Sequence, residues 1–473
     1  MRVMKFGGSS LADAERFAGV RAIVRRASEE EEIAVVLSAM KGVTNQLQEA
    51  AGAAEAGDAR YKTIIDELDR RHRDTIDALE IDESSTGIRE TVAAFTDELR
   101  NVLHGVELVK ECSPRIMDFV LSFGERLSCS VAAADLTSHG VAASMVDARE
   151  IIVTNDAHGN AAVDFPTSYQ RTAHALHQDG AAAQEGHPVP VITGFIASSA
   201  EGVTTTLGRN GSDFTASLVA AAVNADVTEI WTDVDGVFSA DPRTVSDAFV
   251  VDRISVQEAM ELSYFGAEVI HPYTMIPAVE KQIPLRIRNS LNPEATGTWI
   301  THEPAESDRL ITGIASIQNV ALINVEGGGM VGIPGMASRV FGALAEAGVN
   351  IIMISQASSE HSICIVCRDA EAKAALESLK AELREELETK KIQEFQLMTD
   401  LEIVAAIGEK MRGTPGISGK LFSALGEEGV NVLAIAQGSS ETNISFVIQR
   451  EERAEALNCI HRAFFRGEGG AAR

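Results

Sequence analysis

Lys5 stands two places before a glycine pair in "MKFGGSS" (4–10), and two serines follow. A point cation beside bare backbone suits a phosphate. Glycine lets N–H groups approach an anion closely, and a helix starting near Ser9 or Ser10 presents its positive end there. The stretch is not a Walker A loop, whose lysine follows its glycines. Taken by itself it also reads as an ordinary strand-to-helix turn. A second glycine-rich turn precedes a helix in "LGRNGSDFTA" (207–216). Ser212 or Asp213 there is plainly read as an N-cap. Arg209 adds a guanidinium that can grip a carboxylate with two hydrogen bonds. A third loop, "TDVDGVFSADPR" (232–243), carries Asp233, Asp235 and Asp241. These hint at a calcium loop, but Thr244 occupies the position that needs a glutamate. The ends of strands in a parallel sheet are where such folds bind ligands.

Other patterns carry less. "GGGMVG" (327–332) has the dinucleotide-binding spacing, yet its repeat "GEKMRG" (408–413) lacks the middle glycine. The following strand ends at Ser355-Gln356, without an acidic residue for a ribose, so NAD is not expected. His174 and His177 in "HALH" lack metal-site context and are expected at the surface. Cys364 and Cys367 form a C-x-x-C in a stretch that reads as a strand. Residues three apart there point to opposite faces and cannot share a metal. No metal site is expected elsewhere.

The elements that position these residues are legible as alternation. "IAVVLSAM" (33–40), "AASMVDA" (142–148), "VPVITGFIA" (189–197), "TEIWTDV" (228–234) and "IPLRIRN" (283–289) read as strands. Helical stretches such as 212–226 lie between them. Apolar strands separated by helices imply a largely parallel sheet covered on both faces. Residues 58–112 are charged with helical period, a helical excursion from that sheet. "THEPAESD" (301–308) reads as a linker. Beyond it, 333–363 matches 414–444 at a constant offset of 81. Pro334 and Pro415, Phe341 and Phe422, Asn350 and Asn431, and Gln356 and Gln437 coincide. Each copy reads as strand, glycine- and proline-containing turn, amphipathic helix, strand, turn and strand. Two copies suit two small domains rather than a solenoid.

Bulk properties narrow the class. The 473 residues suit about two to four domains, and 45% hydrophobic composition suits a globular chain. A net charge of −28 with only 41 Lys and Arg, and no basic patch, argues against nucleic acid. The acidic, arginine-leaning surface fits a soluble protein, and a salty cytoplasm would explain it. No apolar run reaches the ~20 residues of a membrane span, and a signal peptide is not expected. Five cysteines, sparse and odd in number, fit a reducing cytosol. A cytoplasmic location is expected.

Together, "KFGGSS", "LSAMKGVTN", "SFGERLS", "TLGRNGSDFTA", "TDVDGVFSADPR", "FGAEVIHP", "ISQASSEHSI" and "IAQGSSETNIS", in this order, resemble the aspartate kinases along nearly the whole chain. The C-terminal half looks closest to the kinase portion of bifunctional aspartate kinase–homoserine dehydrogenases, though a dehydrogenase domain is not expected after Arg473. The resemblance implies an α/β amino-acid-kinase domain over 1–300. Two ferredoxin-like ACT domains follow over 312–390 and 398–466, the second completed by strand material before the first. It implies ATP-dependent phosphorylation of the aspartate β-carboxylate to 4-phospho-L-aspartate, the first step toward lysine, threonine and methionine, with Mg²⁺ accompanying ATP.

By the same resemblance Lys5 steadies the transferring phosphoryl and Asp213 orients Lys5. The nucleotide is expected along Lys5, Phe6, Gly7, Gly8, Thr232, Asp233, Phe238, Ser239, Ala240, Asp241, Pro242 and Arg243, with Gly7 and Gly8 giving backbone donors. Aspartate is expected at Ser38, Thr44, Glu125, Arg209, Asn210, Gly211 and Ser212. Glu125 would meet its amine and Arg209 its α-carboxylate. Met330, Asn350, Gln356, Asn431 and Gln437 are the implied effector contacts, threonine being favoured over lysine, and a homodimer or larger assembly is implied. Two departures stand out: Glu268 occupies a position that is lysine in many relatives, and Asn210 one that is usually glycine. The alternatives are another kinase of this fold, acting on acetylglutamate, glutamate, carbamate or UMP, or a catalytically inactive amino-acid sensor.

Overall fold

The computed structural model describes residues 1–176, 188–266, 272–303, 309–330, 335–356 and 362–465. Glu268, His177, most of the 301–308 linker, the middle of "ISQASSEHSI" and the end of "GGGMVG" lie outside the described residues, as does the Met330 side chain. The chain forms two compact units. The first comprises the described residues of Met1–Val237, Asp252–Val256 and Val269–Pro304, and the second those of Phe238–Val251, Gln257–Glu268 and Ala305–Arg473.

The first unit is built on strands β1 (Arg2–Phe6), β2 (Ile33–Leu37), β3 (Ala143–Val146), β4 (Val153–Thr154), β5 (Val189–Thr193), β6 (Ile196–Ser199), β7 (Thr204–Thr206), β8 (Val227–Thr232), β9 (Arg253–Ser255), β10 (Leu285–Asn289) and β11 (Thr298–Thr301). Eight form one sheet in the order β3-β5-β2-β1-β8-β10-β11-β9, and β4-β6-β7 form a second. Pairing is parallel from β3 to β10, with β10–β11 antiparallel. Every residue of β2 is buried, as expected of a strand covered on both faces. The register aligns Phe6 with Leu37 and Trp231, Leu37 with Thr193, and Thr232 with Asn289. The loops after β1, β2, β5, β8 and β10 therefore emerge at one edge. The chain turns one way after β1 and the other after β8, the arrangement that opens a crevice in such sheets.

"VPVITGFIA" is two strands, not one. Gly194 and Phe195 interrupt it, Phe195 with φ +67°, and β6 crosses to the small sheet. The helices that matter are α1 (Ala14–Glu30), α2 (Val43–Glu55), α3 (Arg60–Ala78), α4 (Ile88–Val109), α5 (Pro114–Ser138) and α6 (Gly211–Val223). The α5 start follows from sequence: Ser113 caps it by accepting from Ile116 N, and Pro114 needs no donor there. The excursion helices α3 and α4 bury Ile65, Leu68, Val92 and Leu99 in a core shared with Leu47 of α2 and Phe123 of α5. Residues 116–136 of α5 are largely buried, including Ser122, Glu125 and Ser128, so this helix runs through the core.

The second unit carries the repeat. Its strands are β12 (Gly313–Glu326), β13 (Ile351–Gln356), β14 (Ser362–Arg368), β15 (Glu394–Ile407), β16 (Ala434–Ala436) and β17 (Asn443–Gln449). They form one antiparallel sheet, ordered β13-β14-β12-β15-β17-β16. Helices α7 (Met336–Glu346), α8 (Asp369–Glu382), α9 (Ile417–Glu427) and α10 (Arg453–Phe465) cover it. β12 and β15 pair along nearly their full length. The N-terminal half of β12 thus supplies the fourth strand of the second copy, and that of β15 serves the first. Gly335 and Gly416, 81 residues apart, precede α7 and α9 with φ +92° and +90°, a conformation only glycine adopts freely. Cys364 is half-buried and Cys367 fully buried, on opposite faces of β14.

Candidate active site

Lys5 is the fourth residue of β1, and its side chain leaves the strand beside the first turn. Its ammonium lies 2.7 Å from Asp213 Oδ1, and each side chain is 11% exposed. Asp213 sits in the first turn of α6, where the helix dipole favours an anion. Asp213 Oδ1 accepts no hydrogen bond of good angle, so the contact is an electrostatic one. An ammonium has three donors, and this geometry leaves them available to a further anion.

The first turn abuts the loop after β2. A side-chain carbon at Gly8 would lie 2.9 Å from Ala39 O, so this approach requires glycine. A carbon at Gly124 of α5 would lie 2.8 Å from Ala39 Cβ. Those two glycines bring β1, the 38–44 loop and α5 together. Ser38 N donates to Phe6 O, and Ser38 O accepts from Ser128 Oγ at 2.8 Å. Ala39 N donates to Glu125 Oε1 at 3.2 Å. Glu125 is 3% exposed and its Oε2 has no partner. Burial pushes its carboxyl up to about 8, opposed by the bond from Ala39. A buried, unpaired carboxylate oxygen is costly to leave, and it suits a cationic group brought by a ligand.

The remaining sequence-chosen residues divide. Gly211 and Ser212 are buried in the first turn of α6. Asn210, with φ +56°, takes the left-handed conformation that asparagine tolerates better than most residues, so the turn survives without glycine there. Arg209 is exposed and forms no ion pair among the described residues. Thr44 is half-buried at the start of α2. Thr232 ends β8 and donates to Asp233 Oδ1 at 3.2 Å.

The residues expected along the nucleotide are placed as follows. Phe6 is fully buried and stacks on Trp231, centroids 5.6 Å apart, so its side chain is core. Gly7 N already donates to Trp231 O at 3.3 Å, a long bond, while the Gly8 amide has no acceptor among the described residues. Ser239 and Ala240 are buried. Ser239 Oγ meets His461 Nε2 at 3.0 Å and accepts from Phe249 N. Phe238–Arg243 belong to the second unit, where Asp241 pairs with Arg243 and with Arg453 of α10, each at 2.9 Å. Of the residues chosen in the 232–243 loop, Thr232 and Asp233 lie in the first unit, as do Lys5, Phe6, Gly7 and Gly8. Among the effector candidates, Asn350 and Asn431 are exposed. Gln356 ends β13, but Gln437 lies one residue beyond β16.

Other residues build the site without having been chosen. Ser290, after β10, meets Ser10 at 2.7 Å and donates to Thr232 O at 3.0 Å. Arg71 of α3 donates to Ala12 O and to Lys41 O, tying both loops to the excursion. Ser128 lay inside the quoted "SFGERLS", so its motif could have flagged it. Ser290 and Arg71 act only through contacts distant in sequence.

Residues 1–289 match the amino acid kinase family, and 323–383 and 404–464 match the ACT domain. A crystal structure of E. coli aspartokinase III in complex with aspartate and ADP superposes with a TM-score of 0.78 at 30% identity, covering 98% of this chain and all of that one. The chain belongs to the aspartokinase branch of the amino acid kinase family. The same E. coli protein in complex with lysine and aspartate gives a TM-score of 0.80 at 30% identity, covering 98% and 100% of the two chains. The chloroplastic bifunctional aspartokinase/homoserine dehydrogenase 1 of Arabidopsis thaliana is 39% identical over 473 residues, 98% of this chain and 51% of that protein. The chain thus spans about half the length of the curated bifunctional relatives it matches. Among the described residues no helix is long and apolar enough to cross a membrane.

Proposed function

We propose that this chain is an aspartate kinase that moves the γ-phosphoryl of ATP to the β-carboxylate of L-aspartate. The observation that carries the reading is the Lys5–Asp213 pair at the start of α6, beside a turn whose Gly8 amide has no acceptor among the described residues. The nucleophile has an ordinary pKa of ~3.9 and is already ionised at neutral pH, so no general base is required. The obstacle is repulsion between a carboxylate and a polyphosphate. Catalysis is then alignment and charge neutralisation. Lys5 faces the transferring group, Asp213 fixes Lys5, and the Gly8 amide donates to phosphate oxygen. Glu125 meets the substrate ammonium and Arg209 its α-carboxylate, with Ser38, Thr44 and Ser212 adding hydroxyl donors.

No group of three or more His, Cys, Asp or Glu among the described residues is placed to cage a metal ion. Mg²⁺ is proposed to accompany ATP, held on the nucleotide's own phosphates and water, where it would screen the phosphate charge. The catalytic unit is proposed as residues 1–300, with sensor domains at 312–390 and 398–466 and a homodimer or larger assembly. The effector is proposed to be threonine, through Gln356, Gln437, Asn350, Asn431 and Met330. Lysine is the second reading, because it is bound in the E. coli aspartokinase III complex. An effector can inhibit only by binding one conformation better.

Incubating the protein with ATP, Mg²⁺, aspartate and hydroxylamine should yield aspartyl hydroxamate. No hydroxamate, together with tight threonine binding, would replace this reading with a sensor. In the same assay threonine should lower the rate or raise the aspartate KM. A response to lysine alone would reverse the effector assignment.

A further inference from the structure

Asp118 is 1% exposed in the first turns of α5, and the mechanism above makes no use of it. Its carboxylate gathers donors from two other segments. Thr206 Oγ1, at the end of β7, donates to Oδ1 at 2.6 Å. Gly159 N lies 3.1 Å from both oxygens. His158 Nδ1 lies 2.8 Å from Oδ2. Ala161 N, from the same loop, donates to Thr206 O at 2.9 Å, closing a ring between loop, strand and helix.

The positions of the two ends matter. Glu125 follows Asp118 by seven residues, about two helical turns, on the same face of α5 and roughly 10 Å along its axis. Arg209 follows Thr206 by three residues. The bond between Asp118 and Thr206 is therefore a direct tie between the element bearing Glu125 and the strand leading to Arg209. We propose that Asp118 is a positioning residue that sets the separation of Glu125 and Arg209, and so the fit of the aspartate ammonium and α-carboxylate. This rests on the function proposed above. The two substrate groups share one carbon, so their recognisers tolerate little error; a shift of about 1 Å can cost on the order of 100-fold. Lys5, Asp213 and the first turn lie on other elements, and among the described residues neither Lys5 nor Asp213 hydrogen-bonds to a member of this ring.

The test is steady-state kinetics of Asp118→Asn, Thr206→Val and Thr206→Ser in the full-length protein. The Asn side chain keeps the volume but turns an amide donor toward groups that already donate. Asp118→Asn should raise the aspartate KM about 10-fold or more, with the ATP KM and kcat within about threefold. Thr206→Val should move the aspartate KM the same way, and Thr206→Ser, which keeps the hydroxyl, should restore it. An unchanged aspartate KM in Thr206→Val overturns the proposal even where Asp118→Asn fails to fold. A parallel loss in both KM values and kcat with a lowered Tm also overturns it, since that is the signature of general destabilisation. A parent protein that never phosphorylates aspartate removes the proposed function, and the positioning role with it. That outcome is recognised from the parent alone.

Discussion

The proposed phosphate end and the proposed amino-acid end of the candidate site are assembled on opposite principles. At the first, Lys5 and Asp213 already face each other at 2.7 Å, and opposite charges are matched within the protein. At the second, Glu125 is buried with one oxygen unpaired, and Arg209 stands exposed without an ion pair among the described residues. One end is complete before a substrate arrives. The other offers a buried carboxyl and an exposed guanidinium, neither in an ion pair among the described residues, and under the proposed function they await a molecule that brings both an ammonium and a carboxylate. The preassembled end should govern the chemical step, because preorganised charge costs no reorganisation during transfer. The incomplete end should govern selection, because its groups gain partners only when the right substrate binds.

Lys5→Met breaks that contrast most sharply. Removing the cation should lower kcat about 1000-fold or more while leaving the aspartate KM within about threefold. The variant also leaves Asp213 unpaired, so its Tm should be measured alongside. A folded Lys5→Met protein with parental kcat would remove the preassembled end from the mechanism. Glu125→Gln should do the converse. It keeps the shape and loses the charge, so the aspartate KM should rise about 10- to 100-fold, the worth of a charge-assisted bond. Were kcat to fall as far as with Lys5→Met, the two ends would be one functional unit and the comparison would fail.

The contrast was only partly legible in the chain. The glycine turns and their cations could be read because each is a short contiguous motif whose residue types carry the chemistry. The repeat was legible through its constant 81-residue offset. What escaped reading depended on partners far away. Phe6 sits inside a phosphate-like motif, yet its register neighbour Trp231, on the adjacent strand, takes it into the core. Ser239 and Ala240 looked like loop residues. Ala240 joins Val245 in the hydrophobic core of the second repeat copy, with Leu421 and Phe446, while among the described residues the first copy's core draws on no such segment. The copies also differ at their edge strands: β13 has six residues and β16 three. Equal sequence pattern did not give equal surroundings, which is why Gln437 lies past a strand end where Gln356 does not. Asp118 was invisible because its carboxylate is satisfied by Thr206, 88 residues on, and by a loop about 40 residues on.

The smallest effect sharpens the comparison without any substitution. Burial holds the Glu125 carboxyl at about 8 in the unliganded protein, against 4.5 for an ordinary glutamate. Near neutrality most molecules therefore carry it protonated, and a protonated carboxyl pairs poorly with an ammonium. The kcat/KM for aspartate reports the free protein. It should climb about fivefold from pH 7 to pH 8 and less than about twofold from there to pH 9, as the ionised fraction saturates. At saturating aspartate the bound ammonium favours the ionised form and pulls that pKa down, so kcat should stay nearly flat across the same range. In Glu125→Gln the kcat/KM slope should vanish. The Lys5→Met protein, through its residual activity, should keep it, because its defect lies at the other end. A slope that survives Glu125→Gln would assign the titration to another group, and Glu125 would then be structural rather than the seat of substrate selection.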